Sequence, residues 1–60
     1  MTNQELCKRH DELFKEYLKN KSEEVWKEII GIRNELDKRD TDAFVKWCMS
    51  GGQPIANFFK

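Results

Sequence analysis

The sequence has no excess of charge of either sign. Eleven lysines and arginines balance eleven aspartates and glutamates, for a formal net charge of zero. Proteins held on nucleic acid by bulk charge depend on neutralising phosphates, so nucleic-acid binding is not expected here. Long apolar runs are also missing. Nothing approaches the ~20 residues that a helix needs to span a bilayer, and no membrane association is expected. The residues from Met1 to Arg9 are polar and charged, unlike a secretory leader, which makes the cytoplasm the expected location.

Catalytic equipment is equally sparse. There is one histidine, and there are two cysteines, three glycines and one proline. No glycine-rich loop precedes a helix, and no pair of carboxylates is held by an evident scaffold. Gly51 and Gly52 follow a helical segment and precede Pro54, an order that reads as a helix terminator and not as a phosphate cradle. Cys7 and His10 are three residues apart and share a helix face, and Cys48 approaches if a third helix folds back. Three ligands fall short of the four that structural zinc sites use, so no metal or other cofactor is expected. A Cys–His nucleophilic pair would lack both oxyanion donors and a concave site. Catalysis is therefore not expected. In a reducing compartment the two cysteines should be thiols; an oxidising one would allow a Cys7–Cys48 bridge.

What is present is helix signal. Thr2 and Glu5 have the spacing of a capping box. Leu6, Cys7, Leu13, Phe14, Tyr17 and Leu18 then fill one arc of roughly 140° at 100° per residue, which predicts a helix over about residues 3 to 20. Asn20 or Ser22 can cap a second helix, with Glu23 and Glu24 favourably placed in its first turn. That helix should run from about Ser22 to Lys38 and carry Val25, Trp26, Ile29, Ile30, Ile32 and Leu36 on one side. Gly31 falls on the flank with Glu24, Glu28 and Glu35, away from the apolar arc, where the gap could admit a close neighbour or carry no meaning. Asp40, Thr41 and Asp42 offer the cap of a short third helix, about Asp42 to Met49, stopped by Ser50-Gly51-Gly52. Pro54 opens a last turn with Ile55, Phe58 and Phe59 on its apolar side. Strand-like alternation, repeats and low-complexity segments are absent.

The predicted fold is one all-α domain: an antiparallel helical hairpin closed by a short third helix into a three-helix bundle, with a short helical C-terminal tail. A longer two-helix hairpin that dimerises is the alternative. Leu13, Ile29 and Leu36 should be core.

The apolar supply looks larger than one small core needs. Phe44, Val45, Trp47, Cys48 and Met49 span roughly 200° of the third helix, more than a single buried stripe. Aromatic residues and methionine are enriched at interfaces, and monomers seldom leave large apolar patches in water. Trp47, Met49, Phe58 and Phe59 are therefore candidate partner-binding residues. Glu24, Glu28 and Glu35 form an acidic ridge that could steer a basic partner, as a second candidate surface. Lys8, Lys15 and Lys19 make a basic stripe on the first helix that ordinary i, i+4 pairing explains.

The function these readings suggest is non-enzymatic protein binding, as a stoichiometric inhibitor or adaptor of a host or cellular protein. Compact proteins of phage or accessory genes that block a host machine offer an analogy of size and class. Self-association through the same surface, as a homodimer, is the competing reading. A helical DNA-binding regulator is a weaker one, because the third helix offers only Lys46 for base edges.

Overall fold

The computed structural model describes residues 2–59 of the chain. It is all-helical, with α1 (Asn3–Lys19), α2 (Glu23–Arg39), α3 (Thr41–Cys48) and a single 3-10 turn, Ile55–Asn57. No strand occurs among the described residues, and none of their helices is long and apolar enough to cross a membrane.

Local chemistry accounts for the helix ends. Thr2 Oγ1 accepts a hydrogen bond from the Glu5 amide at 3.2 Å, and its hydroxyl donates to Glu5 Oε1 at 3.1 Å. This satisfies one of the amides that the first turn leaves without an intrahelical partner. Ser22 occupies the N-cap position of α2 without a side-chain capping bond, and Asn20 closes α1 instead, its amide donating to Glu16 O at 3.0 Å. Neither residue therefore caps α2 through its side chain as expected. Asp40 serves two helices at once. Its amide donates to Leu36 O at the end of α2, and its Oδ1 accepts from the Ala43 amide at 3.1 Å at the start of α3. A single non-helical residue, at φ −153° and ψ 89°, thus redirects the chain. After α3, Gly51 at φ +78° and Gly52 at φ +116° take up left-handed backbone, which side chains with a Cβ resist.

The contacts between α1 and α2 pair residues in opposite chain order. Tyr17 stacks on Trp26 with ring centroids 5.0 Å apart, His10 meets Arg33, and Asn3 Oδ1 accepts from Arg39 Nη1 at 3.1 Å. α3 packs on α2, and the Ile55–Asn57 turn packs on α1. Together they form a small helical bundle. Leu6, Cys7, Leu36, Ala43, Ile55 and Phe59 make one buried cluster, with Ile32, Phe44, Trp47 and Phe58 packed against it. Leu13 and Ile29 are buried as well, as expected for core positions.

Two expectations change, and an open one at Gly31 closes. Phe59 is not a surface residue: only 3% of it is exposed. The tail folds back onto α1, and Ile55 and Phe59 both turn inward, each burial contributing roughly 1.5–3 kcal/mol. Leu18 lies in the last turn of α1 but is 61% exposed, at the rim of a cleft whose far wall is Trp47 and Gly52–Pro54. Beyond its chain neighbours and the adjoining backbone of its own helix, no described residue stands within 4 Å of where a Gly31 Cβ would be.

Candidate functional site

The most organised polar group in the molecule joins α1, α2 and the tail. Arg33 Nε donates to His10 Nε2 at 2.9 Å. A guanidinium is only a donor, so Nε2 must accept and the ring proton sits on Nδ1. Nδ1 is 3.2 Å from Asp11 Oδ1, where it donates. The same carboxylate accepts the Ile55 amide on Oδ1 at 3.2 Å and the Ala56 amide on Oδ2 at 3.4 Å. Asp11 thereby caps the tail turn, forty-four residues away along the chain. His10 is fully buried. Burial lowers its pKa below the ordinary value of 6.5, as does the charge of Arg33, while the bond and charge of Asp11 pull the other way. The neutral ring is the form that accepts from Arg33.

Around this relay stands an aromatic frame. The Arg33 guanidinium lies 4.9 Å from the Trp47 ring centroid, 5.3 Å from Trp26 and 5.5 Å from Phe14. Trp47 also meets the His10 ring edge-on at 5.3 Å and Phe44 at 5.5 Å, and its indole Nε1 donates to Gln53 O at 2.8 Å. Trp47 is thus half-buried and tied to four neighbours within the chain. The cation takes up much of the aromatic surface that looks surplus in the sequence. Burial lowers the Arg33 pKa from its usual value, with the nearby Cys48 acting in the opposite direction; an arginine stays charged at neutral pH regardless.

The outer side of α3 is different. Met49 is 82% exposed, Val45 one turn earlier is 46% exposed, and Cys48 between them is exposed too. Of the four aromatic and methionine positions expected on a contact surface, only Met49 stands clear of the fold. Trp47 and Phe58 are half-buried, and Phe59 is core. Val45 belongs to the surface and was not singled out for it. Its position one helical turn before Met49 is the signal that identifies it.

The acidic ridge on α2 is exposed at all three positions, yet its charge is largely answered within the chain. Glu28 pairs with Arg9 at 3.0 Å, and Glu35 pairs with Arg39 at 3.2 Å. Exposed pairs of this kind contribute about 0–1 kcal/mol, but they weaken the field that a basic partner would meet.

The cleft between α1 and the Gly52–Pro54 segment is about 220 Å³ and is lined by His10, Phe14, Leu18 and Trp47 among others. Small-molecule sites usually measure about 300–1,000 Å³. The two thiols are separate in character. Cys7 is buried, with its pKa pushed up to about 11 by burial and by the charge of Asp11, whereas Cys48 faces solvent. Both are free thiols, and no group of three potential metal ligands gathers among the described residues. His10 has its two ring nitrogens committed to Arg33 and Asp11, which leaves neither for a metal or for a nucleophile.

Compared with known proteins, the chain matches no family model, no curated protein and no solved structure at a significant level.

Proposed function

We propose that residues 1–60 form one helical domain, a hairpin of α1 and α2 closed by α3, and that it works without catalysis by docking a protein partner. The partner would be a host or cellular protein in the cytoplasm, bound stoichiometrically as by an inhibitor or adaptor. The observation that carries this reading is the stripe of Val45, Cys48 and Met49 on the outer side of α3, with Met49 82% exposed. Single exposed apolar residues are ordinary, but three together along little more than one helical turn have the character of an interface. Leu18 is the other large apolar residue exposed among the described residues, and it stands apart on α1, so this stripe is where a partner would gain most by excluding water.

Affinity capture with the wild-type chain and with the double variant Val45→Glu, Met49→Glu tests the reading. Stoichiometric capture by the wild type that disappears in the double variant, at unchanged helicity, is the expected result. Equal capture by both would overturn the assignment of the surface. Sedimentation of the chain alone addresses the competing reading. A dimer that the double variant dissolves would replace the foreign partner with a second copy.

A further inference from the structure

The chain has three arginines, and their surroundings differ in one respect. Arg9 pairs with Glu28 and Arg39 with Glu35, whereas no carboxylate among the described residues lies within ion-pair distance of Arg33. Among the described residues its one hydrogen-bond partner is His10, reached through Nε. No buried side-chain nitrogen or oxygen among those residues lacks a hydrogen-bond partner, so the two Nη groups, which have none, reach solvent. The cation is held in place all the same. Trp47, Trp26 and Phe14 stand around it at 4.9, 5.3 and 5.5 Å, and His10 fixes the Nε edge. A guanidinium fork so ordered has already lost most of the rotamer freedom that binding would otherwise cost. Its surroundings are also drier than those of an exposed arginine, which strengthens a charge-assisted hydrogen bond.

We infer that the open Nη edge of Arg33 is a receptor for a carboxylate, supplied by an acidic side chain of the partner that docks on α3. A carboxylate matches the planar fork with two parallel N–H···O bonds. The site adjoins the helix that carries the exposed stripe, because the Trp47 ring lies over the Arg33 guanidinium and the next residue, Cys48, belongs to the stripe. The recognised element is therefore an acidic residue beside an apolar one. This partner identity rests on the protein-binding reading above, but the carboxylate site itself is testable in the isolated chain.

The test titrates sodium acetate into the full chain at constant ionic strength, with sodium chloride as the exchanged salt, and follows the arginine Nε–H signals by NMR. The Arg33 signal should move along a saturating curve while those of Arg9 and Arg39, whose forks are engaged, move far less. An Arg33 signal that shifts no more than those two, or that follows chloride equally, would overturn the site. Inorganic phosphate in a parallel titration should saturate no lower than acetate; a clear preference for phosphate would contradict the carboxylate assignment. N-acetyl-leucyl-glutamate amide should half-saturate at several-fold lower concentration than acetate and also move the Cys48 and Met49 signals. Its glutamine counterpart should do neither, and equal binding of the two peptides would refute the paired acidic and apolar recognition. Arg33→Lys, checked for helicity, keeps the charge but not the fork and should abolish the saturating shift that the glutamate peptide produces in the Cys48 and Met49 signals. Because these readouts need no partner, a failed capture experiment with the Val45 and Met49 variant leaves them interpretable.

Discussion

The two ends of the bundle are held by different physics. Where the first turn of α1 meets the last turn of α2, the interior is apolar: Leu6, Cys7, Leu36, Ala43, Ile55 and Phe59 pack into one cluster. Towards the other end the interior is built on a cation, with Arg33 among Phe14, Trp26 and Trp47 and bonded to His10. The first end is non-directional, and any apolar residue of suitable size would serve it. The second is directional, since each group fixes the orientation of the next, from Arg33 through His10 and Asp11 to the tail amides. A chain this short buries only about 60% of its unfolded surface, so a polar device that orders several side chains at once supplements a thin core.

The comparison breaks most visibly at the apolar end. Leu36→Ala removes a fully buried side chain and should cost roughly 2–5 kcal/mol, enough to unfold much of the population in denaturant titration at room temperature. At the other end, Arg33→Ala deletes three ring contacts and strands an acceptor on His10. It should cost about 2 kcal/mol, read as a lower denaturation midpoint with helicity retained. Equal losses at the two sites would mean that the cation matters as much as the core.

A gentler change separates the tail from the rest. Asp11→Asn weakens the acceptor for the Ile55 and Ala56 amides and should cost about 1 kcal/mol. Hydrogen exchange should quicken at those two amides more than in α2; uniform acceleration would show that the tail does not open on its own.

Acidity should act on the directional end alone. The folded pKa of His10 lies below its ordinary 6.5, so between those values the unfolded chain takes up a proton that the native chain refuses. Stability is then fully present above about pH 6.5 and is lost as pH falls through the folded pKa. The groups facing the ring are Asp11 on its own helix, Arg33 from α2 and Trp47 from α3. His10→Gln keeps an acceptor for Arg33 but cannot titrate. Its denaturation midpoint should be flat over the interval just below pH 6.5 where the wild type declines.

Much of this fold is legible in the sequence because its boundary signals are local. Thr2 and Asp40 cap amides three residues away, and Gly51 takes up the left-handed backbone that ends a helix, so the helix limits fall within one residue of expectation. The core positions Leu13, Ile29 and Leu36 follow from periodicity for the same reason. The candidate site was harder to read because its contacts are tertiary. Phe59 looks like a frayed terminal aromatic until the Asp11 carboxylate, far away in sequence, is seen to hold the tail down. Trp47 looks surplus until a cation is found beneath it. One signal was available: Trp26, Ile29, Arg33 and Leu36 are spaced three, four and three apart, which puts a charge on the buried stripe of α2, where it must find partners.

The central claim is that Trp47 belongs to the fold and Met49 to the surface. Thermal unfolding of Trp47→Ala and Met49→Glu, followed side by side by circular dichroism, tests it most directly. Trp47→Ala should lower the melting temperature by roughly 10 °C, as expected for a loss of about 2 kcal/mol in a domain of this size, while Met49→Glu should leave it within a degree or two of wild type, as surface substitutions usually do. A large fall for Met49→Glu together with none for Trp47→Ala would contradict the account.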